Sequence, residues 1–280
     1  MCQASQKRVD RRNNMSQRGQ GPDFIEALAR GLDVLRCFSA ELPQMSLTQV
    51  AQAAGLARPT ARRILLTLEE IGYVRACDGV HMLTPKVLEL GMAYVGSLGL
   101  WEMARPHLER LVQQTGESSS MAQLDGSDIV YVARVAVPKL ITLNVDIGTR
   151  FPAMVTSQGK VLLAALPPED ALKVLEEPSR SGLPARDKIP DNRVLELLAD
   201  VRERGWALAD EELAPGVRSV SVGVADGAGA IRASMNVTVH AQETSIDKLV
   251  KDYLPQLQAA ARETSTDWAR WQSRPVRTMK

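Results

Sequence analysis

Apolar residues recur at helical spacing through the first third of the chain. Residues 24–38 present one apolar face, which predicts an amphipathic helix. That face is formed by Leu28, Leu32, Leu35 and Phe38. A short second helix is predicted after Ser46, because Ser46 and Gln49 have the spacing of a capping box. Gly55 has the position of a left-handed residue that ends a helix.

A third helix is predicted from Arg58 to Glu70, with one apolar side and one outer side. The apolar side is formed by Ala61, Ile64, Leu65, Leu68 and Ile71. The outer side is formed by Pro59, Arg62, Arg63 and Leu66. Residues 73–75 and 80–83 then flank Asp78 and Gly79, a hairpin turn signal. Helices in this order, followed by a hairpin, are the layout of a winged helix-turn-helix, which is a DNA-binding motif.

The rest of the chain changes between helical and strand patterns. A helix from Pro85 to Leu98 is predicted to join the two halves. Further helices are predicted over residues 101–115, 156–165, 168–176, 192–204 and 245–270. Strands are predicted at 120–124, 129–134, 140–145 and, with turns between them, within 206–240. The fold class is therefore α+β, with a mostly antiparallel sheet flanked by helices in the C-terminal part.

A length of 280 residues suggests two domains rather than one. The expected division is a disordered basic arm over 1–22, the winged helix-turn-helix over 23–86, a linker helix over 87–99, a second domain over 100–270 and a flexible tail over 271–280.

Charge is distributed unevenly between the two parts. Residues 1–86 hold 12 Lys/Arg and 8 Asp/Glu, whereas residues 87–280 hold 22 and 25. A basic front and an acidic rear are expected when only the front meets a polyanion such as DNA. No apolar run approaches the roughly 18 residues of a membrane span, and the arm lacks the apolar segment of a secretory signal. A cytoplasmic, nucleoid-associated protein is therefore expected.

The outer face of the third helix carries the donors that a recognition helix needs. Arginine binds guanine O6 and N7 at two points, while contacts to phosphate add affinity without sequence information. Candidates on or beside the helix-turn-helix are Ser46, Thr48, Arg58, Pro59, Thr60, Arg62 and Arg63. Candidates in the wing region are Arg75, His81 and Lys86. The alternative is an ordinary amphipathic domain with a solvated basic face, which the order of these signals disfavours.

Motifs typical of enzymes are missing. Gly159-Lys160 lacks the Gly at 154 and the Ser/Thr at 161 that a phosphate loop needs, because these positions hold Met154 and Val161. No Gly-x-Ser-x-Gly elbow is present, and the three histidines and three cysteines are too scattered for a metal site. No catalytic residue, metal or cofactor is therefore expected. A module that binds a partner through the C-terminal sheet is a further alternative.

These motifs resemble the winged helix-turn-helix of IclR-type bacterial regulators, and the similarity extends over residues 24–270. The segments that carry it are residues 28–35, 46–51, 55–65, 148–153, 159–164, 210–212 and 216–219. The last four of these are similar to the family's effector-binding domain, which has a GAF-like α+β fold. Ala61-Arg62-Arg63 and Gly148-Thr149-Arg150 are most similar to the subgroup that controls protocatechuate, 4-hydroxybenzoate and β-ketoadipate catabolism.

The resemblance implies an effector pocket between the sheet and the helix that follows the Gly148 loop. Carried over residue by residue, its apolar lining would be Leu140, Leu143 and Phe151. Its polar wall would be Ser157, Gln158, Asp210, Ser219, Asn236 and Thr238. Arg134 and Arg150 are the candidates to pair with a ligand carboxylate, with a surface ion pair as an equal alternative for Arg150. Gln158 is bulkier than the small residues often found at this position, which leaves the ligand size open.

The resemblance also implies the partners. They would be double-stranded operator DNA and a small organic acid, which is aromatic in the subgroup. Two-fold operators imply a homo-oligomer, either a dimer or a dimer of dimers. Ligand binding is expected to reorient paired winged domains through the linker helix. Activation and repression are both compatible with the sequence, and an activator would add RNA polymerase as a partner.

Overall fold

The computed structural model describes residues 21–39, 41–91, 99–137, 145–183 and 189–273. The chain divides into two compact units, with the division between residues 96 and 97. Most of the predicted arm, much of the predicted linker helix and most of the predicted strand at 140–145 lie outside the described residues. None of the helices in the described ranges is both long and apolar enough to span a membrane.

The first unit contains the helices and the hairpin that the sequence predicts. Its elements are α1 (Glu26–Leu35), β1 (Gln44–Ser46), α2 (Leu47–Ala53), α3 (Arg58–Glu70), β2 (Val74–Cys77), β3 (Val80–Leu83) and a 3₁₀ turn (Pro85–Val87). The capping box of α2 is present, because the Gln49 N–H donates to Ser46 Oγ at 3.4 Å and the Ser46 N–H donates to Gln49 Oε1 at 2.8 Å. Asp78 and Gly79 adopt φ values of 50° and 79°, which a two-residue hairpin turn requires.

The sequence pattern does not predict β1. This strand pairs with β3, so that the strand order is β1-β3-β2. Three residues are too few for alternation to be recognised, and Met45 is the one buried side chain among them. Met45 joins the core under the hairpin, so β1 ties the hairpin to the helices.

The core of the first unit is smaller than the apolar pattern predicts. Its buried members are Val34, Cys37, Phe38, Met45, Val50, Ala54, Leu65, Leu68 and Val74. Leu28, Leu32 and Ile71 are 61%, 48% and 47% exposed, so their predicted burial is wrong within this chain. Ile71 lies beyond the last residue of α3, where the helical period no longer applies. In α1 the one buried residue is Val34, near its C-terminal end.

The second unit is a sheet with helices on both faces. Its elements are α4 (Leu100–Thr115), β4 (Ser118–Asp125), β5 (Asp128–Val135), β6 (Arg150–Pro152), α5 (Ser157–Ala164), α6 (Pro168–Glu176), α7 (Asp191–Arg204), β7 (Trp206–Asp210), β8 (Val217–Ala225), β9 (Ile231–His240) and α8, which runs through Ile246–Lys248, a π-helical turn at Leu249–Tyr253 and Leu254–Gln272. The strand order is β6-β5-β4-β9-β8-β7, and each neighbouring pair is antiparallel. The expected α+β class with an antiparallel sheet is confirmed.

The two faces of this sheet differ in chemistry. One face is apolar and packs on α4 and α8 through Met121, Ala133, Val220, Val222, Met235 and Val237. The register places small polar residues together on the opposite face, namely Ser118, Ser120, Ser219, Ser221, Ser234, Asn236 and Thr238. Helix α5 packs across this polar face. The polar face therefore lies at the start of α5, where the sequence predicts a pocket.

Helix α5 approaches the preceding chain segment very closely at Gly159. A Cβ added to Gly159 would lie 2.2 Å from the carbonyl oxygen of Ala153 and 2.4 Å from its Cα. A Cβ atom at these distances would overlap the backbone of Ala153. Glycine at position 159 therefore allows α5 to begin directly after the 3₁₀ turn Ala153–Val155.

Gly159→Ala is expected to destabilise the second unit by roughly 1–3 kcal/mol, the usual range for overpacking, because the added methyl group must displace backbone. Urea unfolding followed by circular dichroism measures this. Gly31→Ala in α1 is the matched control, since no atom lies within 4 Å of an added Cβ there. The control is expected to be neutral or stabilising by about 0.5–1 kcal/mol. A Gly159→Ala protein as stable as wild type would contradict the close approach.

Candidate nucleic-acid interface and ligand cavity

The outer face of α3 presents arginines to solvent. The exposed residues of this face are Arg58, Pro59, Arg62, Arg63 and Leu66, whereas Thr60 is half-buried. Ala61, Leu65 and Leu68 are buried on the opposite side of the helix. Within the described residues, none of the three arginines has a carboxylate partner. Their guanidinium groups are therefore available to an anionic surface.

Ser46 and Thr48 at the start of α2 differ in whether their hydroxyl groups are available for a hydrogen bond to DNA. The Ser46 hydroxyl also contacts Gln49 Oε1 at 2.9 Å, so its hydrogen is used inside the capping box. Thr48 is exposed on the first turn of α2. Of the two candidates, Thr48 has the freer hydroxyl.

The three wing candidates lie in different environments. Arg75 is exposed on β2 and has no carboxylate partner in the described chain. Lys86 donates its ammonium hydrogen to the carbonyl of Ile71 at 2.9 Å and lies 5.3 Å from the centre of the Tyr73 ring. This contact stabilises the C-terminal end of α3. His81 lies half-buried on the central strand β3, and its Nδ1 is enclosed without a hydrogen-bond partner in the described residues.

A cavity of about 170 Å³ lies in the second unit, between the polar face of the sheet and the start of α5. Its lining includes six of the residues expected to form an effector site, namely Arg134, Ser157, Gln158, Ser219, Asn236 and Thr238. Apolar lining comes from Val145, Val155 and Leu213, while the expected Leu140 and Leu143 lie outside the described residues. A cavity of about 150 Å³ holds a benzene molecule, so this one has the size for a single-ring ligand.

Hydrogen bonds connect the polar wall from strand to strand. Arg134 Nη1 donates to Ser120 Oγ at 3.0 Å, and the Ser120 N–H donates to Asn236 Oδ1 at 2.9 Å. Asn236 Nδ2 in turn donates to Thr238 Oγ1 at 2.9 Å. These bonds satisfy buried polar groups and fix the orientation of the Asn236 amide.

Hydroxyl groups hold the start of α5 against β8. Thr156 caps the helix by accepting the Gly159 N–H at 3.0 Å. Ser157 Oγ lies 2.7 Å from Ser219 Oγ and 2.6 Å from Ser221 Oγ. Each hydroxyl supplies one hydrogen, so these three groups can rotate to donate or accept.

Gln158 ties α5 to the middle of the sheet. Its Nε2 donates to the carbonyl of Ser234 at 2.8 Å and to that of Ser120 at 3.2 Å. Because the amino group must face these two acceptors, the amide orientation is set, and Oε1 is buried without a partner in the described residues. The resemblance leads one to expect a smaller residue at this position. The longer side chain of Gln158 reaches the carbonyl groups of β9 and β4.

Lys160, the second residue of the Gly159-Lys160 pair, has a structural role. Its side chain is 5% exposed, and its ammonium donates to the carbonyl of Leu208 at 3.0 Å and pairs with Glu212. These contacts tie α5 to β7 and to the loop that closes the cavity between β7 and β8. Lys160 therefore stabilises the cavity wall without lining the cavity.

Arg134 is the one Lys or Arg among the described lining residues. Burial lowers the pKa of its guanidinium, and the electrostatic influence of Tyr131 and Asp146 acts in the opposite direction. No carboxylate lies within 4 Å of it in the described part of the chain. Glu117 is the carboxylate among the described lining residues, and it has an interaction other than an ion pair with Arg134. A half-buried guanidinium without a carboxylate partner favours binding of an anion.

Arg150 does not line the cavity, so its predicted contact with a ligand is wrong. It lies in β6 rather than in a loop, opposite Val130 of β5. Its guanidinium pairs with Asp125 and lies 3.5 Å from Asp128. The ion pair that the sequence left as an alternative is the one observed.

Asp210 and Phe151 also lie outside the cavity wall, which corrects their predicted roles. Asp210 is opposite Arg218 in the β7–β8 ladder and accepts its Nε–H at 2.6 Å. Phe151 packs edge-to-face on Tyr131, with ring centres 5.8 Å apart. It supports the wall from the core instead of contacting the cavity.

Sequence reasoning misses Tyr131, which lines the cavity and is 6% exposed. Strict alternation along a strand would direct residues 131 and 134 to opposite faces. A bulge in β5 changes this alternation, and no local sequence signal marks it. Glu117, Ser118 and His240 are missed because their position follows from strand register rather than from spacing along the chain.

No cluster of His, Cys, Asp or Glu in the described residues is arranged to hold a metal ion.

Two family models match the chain. The model described as "IclR helix-turn-helix domain" matches residues 27–76, and the model described as "Bacterial transcriptional regulator IclR C-terminal" matches residues 92–266. The first match contains α2 and also α3, which carries the exposed arginines. The second contains the whole described wall of the cavity.

Individual proteins agree with these models. The Pca regulon regulatory protein of Pseudomonas putida is 35% identical over 86% of this chain and 84% of its own length. The p-hydroxybenzoate hydroxylase transcriptional activator of Acinetobacter baylyi is 32% identical over 86% of this chain and 91% of its own. The solved inducer-binding domain of the PobR transcription factor from Acinetobacter, a double mutant in complex with 3-hydroxybenzoic acid, is 30% identical with a TM-score of 0.53, over 59% of this chain and 97% of that domain.

These matches confirm the family and the subgroup to which the sequence motifs are most similar, and they confirm a regulator rather than an enzyme. The chain belongs to the IclR family of bacterial transcriptional regulators.

Proposed function

We propose that this regulator binds operator DNA through the outer face of α3 and binds a small aromatic acid in the cavity of the second unit. The observation that carries the ligand half of the proposal is Arg134, a half-buried guanidinium without a carboxylate partner among the described residues. It faces a cavity of about 170 Å³, the size for a single ring. Ligand binding then changes operator affinity through residues 87–99.

The names of the relatives support the ligand class. One relative is named as the transcriptional activator of p-hydroxybenzoate hydroxylase, and the inducer-binding domain of another is in complex with 3-hydroxybenzoic acid. p-Hydroxybenzoate and 3-hydroxybenzoic acid each consist of one aromatic ring with one carboxylate and one hydroxyl group. Such a ligand matches a cavity whose described lining combines apolar residues with one guanidinium that has no carboxylate partner.

We propose the domain division expected from the sequence, with DNA binding in 23–86, coupling in 87–99 and ligand binding in 100–270. A protein that binds operators acts at the nucleoid in the cytoplasm, and it contacts RNA polymerase if it activates transcription. The solvent-exposed arginines of α3 and Arg75 support binding to a polyanion at the front of the chain.

The Arg62→Ala, Arg63→Ala double variant is expected to lose operator binding, because each two-point base contact contributes about 1–3 kcal/mol. The probe is a DNA fragment selected by the wild-type protein from a random-sequence pool, and the measurement is fluorescence anisotropy at several salt concentrations. Arg193→Ala is the control, since Arg193 is an exposed arginine of α7 in the second unit. Unchanged affinity of the double variant would rule out the outer face of α3 as the interface.

Arg134→Gln is expected to abolish stabilisation by aromatic acids while leaving DNA binding intact. A ligand present at about 100 times its Kd stabilises a protein by about 2.7 kcal/mol, which a thermal-shift assay detects. The probes are 3-hydroxybenzoate and 4-hydroxybenzoate within a panel of aromatic acids. Arg232→Gln is the control, because Arg232 pairs with Asp226 away from the cavity. A wild-type shift in the Arg134 variant would contradict the assigned role, and a wild-type protein unaffected by every aromatic acid would contradict the ligand class.

We further propose that the chain forms a dimer through an apolar stripe at α1. The stripe consists of Phe24, Ile25, Leu28 and Leu32. Their exposed fractions are 40%, 64%, 61% and 48%. Leu28 and Leu32 are four residues apart and share one face of α1, and Phe24 and Ile25 lie directly before its first residue. A second copy is the occupant that fits, because a two-fold operator needs two winged domains. Pairs of such dimers would form the tetramer that the resemblance also allows.

Leu28→Glu is expected to shift the protein to a smaller species in sedimentation velocity. Burial of a leucine contributes about 1.5–3 kcal/mol, so the dissociation constant should rise at least about ten-fold. Leu42→Glu is the matched control, since Leu42 is 46% exposed but lies outside the stripe. An unchanged sedimentation profile for Leu28→Glu would show that the stripe is not the interface.

A further inference from the structure

A β-bulge brings Tyr131 and Arg134 to the same face of the sheet. Arg134 is opposite Ser120 and Tyr131 is opposite Ala122, so the four residues 131–134 of β5 face the three residues 120–122 of β4. The extra residue is Val132. Ser120 and Ala122 point to the same face, and their partners therefore do so as well.

The hydroxyl of Tyr131 has no hydrogen bond within the described residues. Its ring is held in place by the edge-to-face contact with Phe151. Burial raises the pKa of Tyr131 to about 12, so the phenol keeps its proton throughout the physiological range. The hydroxyl of a largely buried tyrosine ordinarily has a partner, and Tyr131 lies at the wall of a cavity from which a ligand can supply one.

Tyr131 and Arg134 are both hydrogen-bond donors, so neither satisfies the other. Arg134 uses one of its hydrogens on Ser120 Oγ and keeps the rest. Two neighbouring donors, one neutral and one cationic, fit the two oxygens of a single carboxylate. The lining residues Val145 and Val155 offer apolar contact to the remainder of such a ligand.

We propose that Tyr131 and Arg134 bind the carboxylate of the effector together, with the Tyr131 hydroxyl donating to one oxygen and the Arg134 guanidinium to the other. This inference rests on the proposed function, which it extends with a second specificity-determining residue. Tyr131 then distinguishes a carboxylate from a neutral group of the same shape, because an amide presents only one oxygen acceptor to the two donors. The bulge at Val132 is the backbone feature that creates this pair.

Isothermal titration calorimetry of wild type and Tyr131→Phe with 3-hydroxybenzoate and 3-hydroxybenzamide tests the proposal. Loss of a hydrogen bond to a charged group is expected to weaken binding of the acid by about 10- to 100-fold. Binding of the amide should change by less than about three-fold, since it lacks the charged acceptor. Tyr253→Phe is the matched control, because Tyr253 is a similarly buried tyrosine that does not line the cavity. Circular dichroism of the ligand-free variants checks that the ring replacement leaves the fold intact.

The outcomes separate the two proposals. If wild type binds the acid and Tyr131→Phe binds it equally well, the role of Tyr131 is overturned while the proposed function stands. If Tyr131→Phe weakens acid and amide equally, Tyr131 acts through packing, and the shared carboxylate contact is overturned. If wild type binds no aromatic acid, the proposed function itself fails.

Discussion

The second unit depends on a sheet that buries apolar residues on one face and small polar residues on the other. The apolar face, packed on α4 and α8, supplies the burial that stabilises the unit. The polar face removes hydroxyl and amide groups from water, which is unfavourable unless each finds a partner. The chain meets this requirement with bonds from strand to strand and from α5 to β8. What remains after these bonds are made is a cavity whose described wall has few polar groups without a partner, and these are the groups to which the proposed ligand would bind.

Both candidate binding surfaces contain a guanidinium group that forms no ion pair with any residue in the described part of the chain. On α3 the arginines are exposed, so their charge is screened by salt and suits a flexible contact with a large polyanion. In the cavity Arg134 is half-buried, so its charge is less screened and suits one small anion. Elsewhere, Arg150 and Arg218 have acidic partners and serve the fold. Ion pairing, rather than residue type, separates the candidate binding arginines from those that stabilise the fold.

Local signals in the sequence predict the local parts of this fold. The capping box at Ser46 and the turn at Asp78-Gly79 predict their structures because each depends on a few adjacent residues. Family resemblance predicts part of the cavity wall, and the sheet and the start of α5 together bring six of the predicted residues to it. The resemblance also places Asp210 in this wall, but Asp210 instead binds Arg218, its partner in the β7–β8 ladder. Tyr131 could not be found by spacing, because a bulge is set by contacts between strands rather than by the sequence near it.

The position of β4 in the sheet has a consequence for how the protein is made. β4 pairs with β9, so that Ser118 lies opposite Thr238 and the centre of the sheet joins segments far apart in the chain. Such long-range pairing forms slowly and requires most of the chain to have left the ribosome. The first unit is built from neighbouring segments and can fold while the rest is still being translated. A nascent or prematurely terminated chain would therefore carry a finished DNA-binding domain before any ligand can control it.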